Sequence, residues 1–409
     1  MPIHICYAVH DKNGSFCKLA GTSMRSILAG TREEVVFHLL HDDTLTEENR
    51  AKFLVLMAMH PHGSIRFYNM DELEQEAISA IVAKASLGRF SQATFYRLLM
   101  MRVLPWEVER VIYLDSDIIV NLDIGELWRE ETGRNGLAAV SEQELSGGLM
   151  LPKALCAQGK VAENRYFNAG VLLIDMVKFR EKQELWQEGL QLLEEHPEYT
   201  SHDQDILNNF YAADYRQLPV HYDEFVLAVR RRREQPKHAI YHYAGWALDL
   251  TLEEDPYNRL FMEHYFHTPW LTPETLLRLG NAAGRIAEGE RQRAGRFMAQ
   301  LARRKCAVVC PEASRAEIEP YFRGLTGVIY LLMKPVGKEQ SWDISPVVQY
   351  MSDHREYIYI VCTPNFEAVR KIFLSCGYQE GKDFVYGGVI LPARLHGMPP
   401  QPEKLLEQL

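Results

Sequence analysis

Long apolar runs are missing from this chain: nothing in its 409 residues approaches the roughly 18 to 20 apolar side chains that span a bilayer. An excess of positive charge is missing as well. The 45 Lys and Arg residues face 55 Asp and Glu, a net charge of −10 that argues against nucleic acid as the main partner. The opening MPIHICYAVHDKNG has no basic segment, long apolar stretch or small-residue cleavage site. It reads as the first strand of a cytoplasmic protein. Cysteines are few, scattered and odd in number: there are seven, and Cys6 and Cys362 lie inside apolar segments, as free thiols of a reducing compartment do. Cys306 and Cys310 form a CxxxC with no second Cys or His pair beside it, so core thiols are favoured over a zinc site.

What the chain does contain is an alternation of strands and helices. IHICYAV (3–9), Val35 to Leu40 and Ser64 to Tyr68 read as strands. The stretches 14–30, 46–60 and 91–101 carry helical spacing, with Glu47 and Glu48 in the first turn of the second. The pattern predicts an α/β fold with a mixed, mostly parallel sheet, whose ligands lie beyond the carboxyl ends of its strands. Length suggests more than one domain. We expect a nucleotide-binding domain over 1–270, a helical linker over 271–304 and a smaller Rossmann-like α/β domain over 305–409. The linker carries Arg285, Arg291, Arg293, Arg296, Arg303 and Arg304. A solvated connecting helix is favoured over one lying on an anionic membrane, because its apolar face is thin. In the last domain CAVVCPE, GVIYLLM, YIYIVCT and FVYGGVIL read as strands, with neither GxGxxG nor GxxxxGK among them.

The most telling stretch is VIYLDSDIIVNLDIGEL (111–127). Four apolar residues form a buried strand that ends in Asp115 and Asp117, with Ser116 between them. Residues two apart on a strand share a face. Paired carboxylates there are costly to desolvate unless a cation answers them, and a divalent metal on a diphosphate does so. A surface turn holding two acids is the alternative. Downstream lie YFNAGVLLID (166–175), a small-residue turn running into a buried strand; HDQDILN (202–208), at the mouth of a helix; and AIYHYAG (239–245), a strand ending in His242.

With RFSQATFYRLLM (89–100), these motifs in this order resemble the family 8 retaining glycosyltransferases, which include bacterial lipopolysaccharide galactosyl- and glucosyltransferases and glycogenin. The resemblance covers roughly 3–270. It implies a nucleotide-diphospho-sugar transferase fold of the GT-A type, a UDP-sugar donor and a manganese (or magnesium) ion. By position, Asp115, Asp117 and His242 match the metal ligands. Ala8, His10, Arg97, Ser116, Asn168, Ala169, Gly170 and Gly245 match or adjoin positions that hold the donor. Asp203 and Gln204 match residues beside the sugar's anomeric carbon. An amide at Gln204, in place of a carboxylate nucleophile, favours front-face substitution over double displacement.

Two positions depart from the family pattern. Leu248 stands where a diphosphate-clamping lysine is expected, and His10 where an acid is common; the run Arg230 to Arg233 is a candidate replacement cation. Two functions follow. The first is a cytoplasmic, metal-dependent hexosyltransferase moving glucose or galactose from a UDP-sugar to a saccharide acceptor of a bacterial cell surface. The second is a catalytically weak nucleotide-sugar-binding module. Peripheral contact with the inner face of the membrane and homo-oligomerisation through the last domain are further expectations. Acceptor choice is expected in the loop-like segments 147–159 and 222–235. An aspartate-nucleophile phosphatase is set aside, because Ile119 stands where that motif needs Thr.

Overall fold

The computed structural model describes residues 2–84, 91–142, 153–182, 184–244, 255–302, 304–336, 341–363 and 366–391. Two compact units divide between Leu276 and Leu277.

The first unit is built on a seven-stranded sheet. Its strands are β1 (Ile3–Val9), β2 (Val35–His41), β3 (Gly63–Asn69), β4 (Arg110–Leu114), β6 (Leu137–Ser141), β7 (Phe167–Asp175) and β8 (Arg216–Gln217). A three-stranded sheet joins β5 (Ile118–Asn121), β9 (Glu224–Phe225) and β10 (Ala239–His242). The order in the larger sheet is β3-β2-β1-β4-β7-β6-β8. All neighbours on the β1 side of β4 are parallel, whereas β7 is antiparallel to both β4 and β6. This is the mixed, mostly parallel sheet that strand–helix alternation predicts. The strands read as unbroken apolar runs because both faces are covered: Ile3, Ile5, Cys6, Tyr7 and Val9 of β1 are all buried.

Helices return the chain between parallel strands. α1 (Phe16–Gly30) links β1 to β2, and α2 (Glu47–Ala58) links β2 to β3. Thr46 caps α2, its side chain accepting from Asn49 N at 3.2 Å, with Glu47 and Glu48 placed to complement the helix dipole. α1 presents Gly21 to the indole of Trp270, where a Cβ would collide with the ring. The expected helix from 91 begins instead as a 3₁₀ turn, Gln92–Phe95, and becomes α3 only at Tyr96–Val103. Phe95, Leu98 and Leu99 then pack with Tyr113, Leu172 and Ile206 in one core. Later come α4 (His202–Tyr211), α5 (Pro256–Tyr265) and α6 (Pro273–Leu301).

The structure corrects three local expectations. The NAG triplet is not a turn: β7 begins at Phe167, where Asn208 both accepts from the backbone N–H and donates to the carbonyl, at 2.8 Å each. The stretch 222–235 is not a loop throughout, since it holds β9 and a helix at Val226–Arg231. Nor is FVYGGVIL one strand. It is extended only at Phe384–Tyr386, because Gly387 turns tightly over Cys362 and leaves no room for a side chain.

The second unit is also α/β. Strands β11 (Lys305–Pro311), β12 (Ile329–Val336), β13 (Ser341–Asp343), β14 (Tyr357–Val361) and β15 (Phe384–Tyr386) lie in the order β13-β12-β11-β14-β15. All pairs are parallel except the edge strand β13. The end of α6 is not solvated: Leu301 is buried with Cys306, Ile318 and Phe322. All seven cysteines are free.

Candidate functional site

Strand register assembles the site. β4 stops at Leu114, and Asp115 and Asp117 follow at its carboxyl end. Because β7 runs the opposite way, its first residues lie beside them: Leu114 pairs with Val171, and Asp115 N donates to Gly170 O at 2.8 Å. The antiparallel pair β5–β10 sets His242 opposite Ile118, and Tyr243 N donates to Asp117 O at 2.9 Å. Three distant segments thus converge. One ligand atom from each of Asp115, Asp117 and His242 lies within 4.8 Å of the others. His242 Nε2 is 3.4 Å from Asp117 Oδ1 and 3.9 Å from Asp115 Oδ2. Gly170 is required here, since a Cβ would strike His242 Cε1 and stand 2.9 Å from both Asp115 Oδ2 and Asn168 Oδ1.

Behind His242 lies Asp223, which the sequence reading missed. It is fully buried, and its Oδ1 is 3.1 Å from His242 Nδ1. Burial opposes the charged imidazole, but Asp117 and Asp223 outweigh it and hold His242 well above its ordinary value. Asp117 is lowered, His242 overcoming the desolvation that would raise it. Asp223 is raised, chiefly by burial, and its Oδ2 has no hydrogen-bond partner among the described residues. Two carboxylates and an imidazole, with a buried carboxylate fixing the ring through its other nitrogen, suit a divalent cation. The residues fit a metal. Asp223→Asn is expected to weaken manganese binding about 10- to 100-fold, because the ring loses its orienting acceptor. Titration of manganese followed by its electron paramagnetic resonance checks this; unchanged affinity contradicts it.

Arg97 ties the Asp115 cluster to Asp203. From α3 its Nη2 meets Asp115 Oδ1 at 2.7 Å and its Nε meets Asp203 Oδ2 at 2.9 Å. Its Nη1 donates to Ala169 O at 2.6 Å, and the guanidinium lies 4.4 Å from the Tyr113 ring centroid. One cation serving two carboxylates leaves a deficit. Burial pushes Asp203 up to about 7, Arg97 offsetting this only in part and Asp115 adding to it. The ordinary value is 3.8, so the folded chain holds this proton to higher pH than the unfolded one. The contribution is full below about pH 4 and is lost as the pH rises through about 7. In the presence of chelator, the stability of the wild type relative to Asp203→Asn is therefore expected to fall between these limits and level off above them. Urea midpoints across that range measure it; a pH-independent difference contradicts it.

Gln204 sits at the start of α4 in a fixed orientation. Its Oε1 accepts from Asn168 Nδ2 and from Ala169 N, at 3.0 Å each. Its Nε2 donates to Glu142 Oε2 at 2.5 Å and to Tyr166 Oη at 3.3 Å. Glu142 in turn meets Lys153 Nζ at 3.1 Å, and Lys153 donates to Ser201 Oγ at 3.0 Å. The sequence motifs single out neither Glu142, which directly follows β6, nor Lys153, which precedes a one-turn helix at Ala154–Ala157.

On the β1 side, Ser116 Oγ donates to Ala8 O at 3.4 Å. His10 Nδ1 lies 2.5 Å from Asp42 Oδ2, so an acid stands beside the histidine that departs from the family pattern. Burial raises Asp42, but hydrogen bonds from His10 and Thr44 bring it down to about 2. Gly245 and Leu248 lie outside the described residues. Within the Arg230 to Arg233 run, two members are committed elsewhere. Arg230 forks onto Asp255 with two contacts of 2.8 Å, and Arg232 meets Glu224 at 2.8 Å and Glu234 at 2.6 Å.

The chain is 27% identical over 212 residues to the lipopolysaccharide 1,3-galactosyltransferase of Salmonella typhimurium, covering 51% of this chain and 59% of that one. It is 30% identical over 216 residues to human xylosyl- and glucuronyltransferase LARGE1, covering 50% of this chain and 27% of the relative. The chain thus spans only part of the length of these relatives. The crystal structure of galactosyltransferase LgtC with donor and acceptor sugar analogs superimposes with a TM-score of 0.52 and 22% identity, over 66% of this chain and 98% of that one. The fold is that of the GT-A glycosyltransferases. A family profile described as Glycosyl transferase family 8 matches residues 6–247, well over half of the chain, and the protein belongs to that family.

Proposed function

We propose that the protein is a metal-dependent retaining hexosyltransferase. It moves glucose or galactose from a UDP-sugar to a saccharide acceptor, in the synthesis of a bacterial surface polysaccharide or lipopolysaccharide. The observation that carries this is the fixed Gln204 amide, joined through Ala169 and Arg97 to the Asp115, Asp117 and His242 cluster. The galactosyltransferase relative supports the sugar class.

Asp115, Asp117 and His242 would hold manganese or magnesium. When bound, the ion supplies neutralisation of charge developing on the diphosphate. Arg97 pairs with Asp115 Oδ1 and holds that side chain in place beside the cluster. Asn168, Ala169 and Gly170 line the donor side, and Ala8, His10 and Ser116 lie toward the nucleoside. Gln204 Oε1 already accepts two hydrogen bonds, which makes it a poor nucleophile. Asp203 is engaged by Arg97 and tends to keep its proton, which disfavours it as a nucleophile as well. Both features favour a front-face substitution. The bond from the anomeric carbon to the phosphate oxygen breaks, the bond to the acceptor oxygen forms on the same face, and the acceptor's proton passes to the departing phosphate. Gln204 steadies the oxocarbenium-like state.

The test is release of UDP from UDP-glucose and UDP-galactose, with manganese and with chelator. Metal-dependent turnover of one donor supports the enzyme. Tight metal-dependent binding without turnover supports the nucleotide-sugar-binding module, which the replacement of the expected lysine by Leu248 favours. Trapping a glycosyl group on Asp203 or another carboxylate overturns the front-face mechanism. A cytoplasmic location belongs to the same proposal and is supported by the seven free thiols. No helix among the described residues is long and apolar enough to cross a membrane.

A further inference from the structure

The Gln204 amide has no hydrogen-bonding capacity to spare. Both lone pairs of Oε1 are taken by donors, Asn168 Nδ2 and Ala169 N, and both hydrogens of Nε2 by acceptors, Glu142 Oε2 and Tyr166 Oη. Tyr166 gives its own hydrogen to Asp205 Oδ1 at 2.7 Å, which leaves its oxygen free to accept. A carboxylate only accepts and a backbone N–H only donates, so Glu142 and Ala169 together fix which end of the amide faces which way.

Three of the four partners, Tyr166, Asn168 and Ala169, belong to β7 or to the residue before it, and the core holds them in place. Glu142 is held differently. It is the first residue beyond β6 and is buried, and Lys153 is the one cation within 4 Å of it among the described residues. Lys153 Nζ meets Glu142 Oε1 at 3.1 Å, donates to Ser201 Oγ at 3.0 Å and lies 5.3 Å from the Tyr166 ring centroid. Ser201 stands immediately before α4, whose third residue is Gln204. One ammonium thus joins the carboxylate that orients the amide to the turn that carries it. The Lys153 side chain is only 12% exposed, so this is a desolvated pair and not a solvated one of little consequence.

We propose that Lys153 is a positioning residue for sugar transfer: it holds the Glu142 carboxylate against Gln204 Nε2 and so fixes the amide dipole. The proposal rests on the hexosyltransferase reading for what Gln204 does, and on the contacts alone for how Gln204 is held. Without Lys153, a buried carboxylate is left without its countercharge and turns toward water. Nε2 then loses its one charge-assisted bond, and the amide is free to swing or flip. A reacting group displaced by a fraction of an ångström loses rate without losing substrate affinity.

Two readouts test this on the full-length protein. In the first, hydrogen exchange at the Gln204 side-chain amide is followed by NMR with isotope-labelled glutamine, the signal being assigned by its loss in Gln204→Ala. Lys153→Met and Glu142→Gln are each expected to speed that exchange about tenfold or more. In the second, metal-dependent release of UDP is measured. Each single variant is expected to lower kcat about 10- to 100-fold with the donor KM nearly unchanged. The double variant is expected to lose no more than the worse single one, since a neutral amide at position 142 needs no cation beside it. Lys153→Gln, which still donates to Glu142 without a charge, guards against a folding defect in the methionine variant and is expected to lose less. Thermal unfolding establishes that each variant is folded at the assay temperature. Unchanged exchange in Lys153→Met overturns the assignment, as do losses of kcat that multiply in the double variant. The exchange measurement does not depend on turnover. A wild type that releases no UDP but shows the expected exchange therefore sinks the hexosyltransferase reading and leaves the hold of Lys153 on Gln204 standing.

Discussion

Replacing Arg97 with methionine is expected to destabilise the first unit by about 3–5 kcal/mol, the range for breaking a buried ion pair from one side. The residue is 7% exposed and satisfies Asp115, Asp203 and the Ala169 carbonyl together. Methionine fills most of the volume and keeps contact with the Tyr113 ring, so little of the loss comes from packing. What remains is Asp115 without its cation, beside a buried Asp203 that loses the one group favouring its charged form. Since domains are stable by only about 5–15 kcal/mol, such a variant folds marginally. Arg97→Lys restores a charge but cannot fork onto both acids, and it is expected to fall between the two. The pairing is isolated by adding Asp203→Asn to Arg97→Met, which removes one orphaned carboxylate and recovers part of the loss. Urea unfolding in chelator measures all four proteins. A loss below about 1 kcal/mol in Arg97→Met, the scale of an exposed pair, contradicts the assignment.

Gln204→Ala is expected to lower kcat by about 10²–10³, the scale of removing one preorganised dipole from a reacting centre. Binding of UDP and metal should change little, because Gln204 touches none of the cluster residues directly. Its contacts run instead to Asn168, Ala169, Glu142 and Tyr166. This split between turnover and binding separates a role at the sugar from a merely structural one. Steady-state rates together with UDP titration decide it. Equal losses in both quantities would mean that the substitution has collapsed the segment from Asn168 to Gly170.

Much of this was legible in the chain because the chemistry sits where periodicity changes. An apolar strand that breaks into Asp-Ser-Asp marks the carboxyl end of β4, and the strand rule for α/β folds then locates the site. From the residues themselves His242 was legible only as the end of an apolar run, and the family resemblance alone marked it as a ligand; its approach to Asp117 depends on the antiparallel pairing of β5 with β10, which no local pattern encodes. The same holds for the NAG segment. Small residues suggested a turn, but Asn208 and the neighbouring strands draw it into β7, where Gly170 serves close packing and not a bend. Asp223 and Glu142 escaped because each adjoins an element too short or too irregular to show a period. Asp223 precedes a two-residue strand, and Glu142 follows the last residue of β6. Their importance lies in what they touch, His242 and Gln204. Two members of the Arg230 to Arg233 run, a candidate replacement cation, are engaged elsewhere: Arg230 holds the start of α5 through Asp255, and Arg232 holds its own loop through Glu224 and Glu234.

The central claim is that Asp115, Asp117 and His242 hold a metal that binds the donor's diphosphate. Isothermal titration of UDP, with and without manganese, into the wild type and Asp117→Ala tests it most directly. Binding that requires both manganese and Asp117 is the predicted result. UDP binding of equal strength in chelator, or in Asp117→Ala, would contradict it.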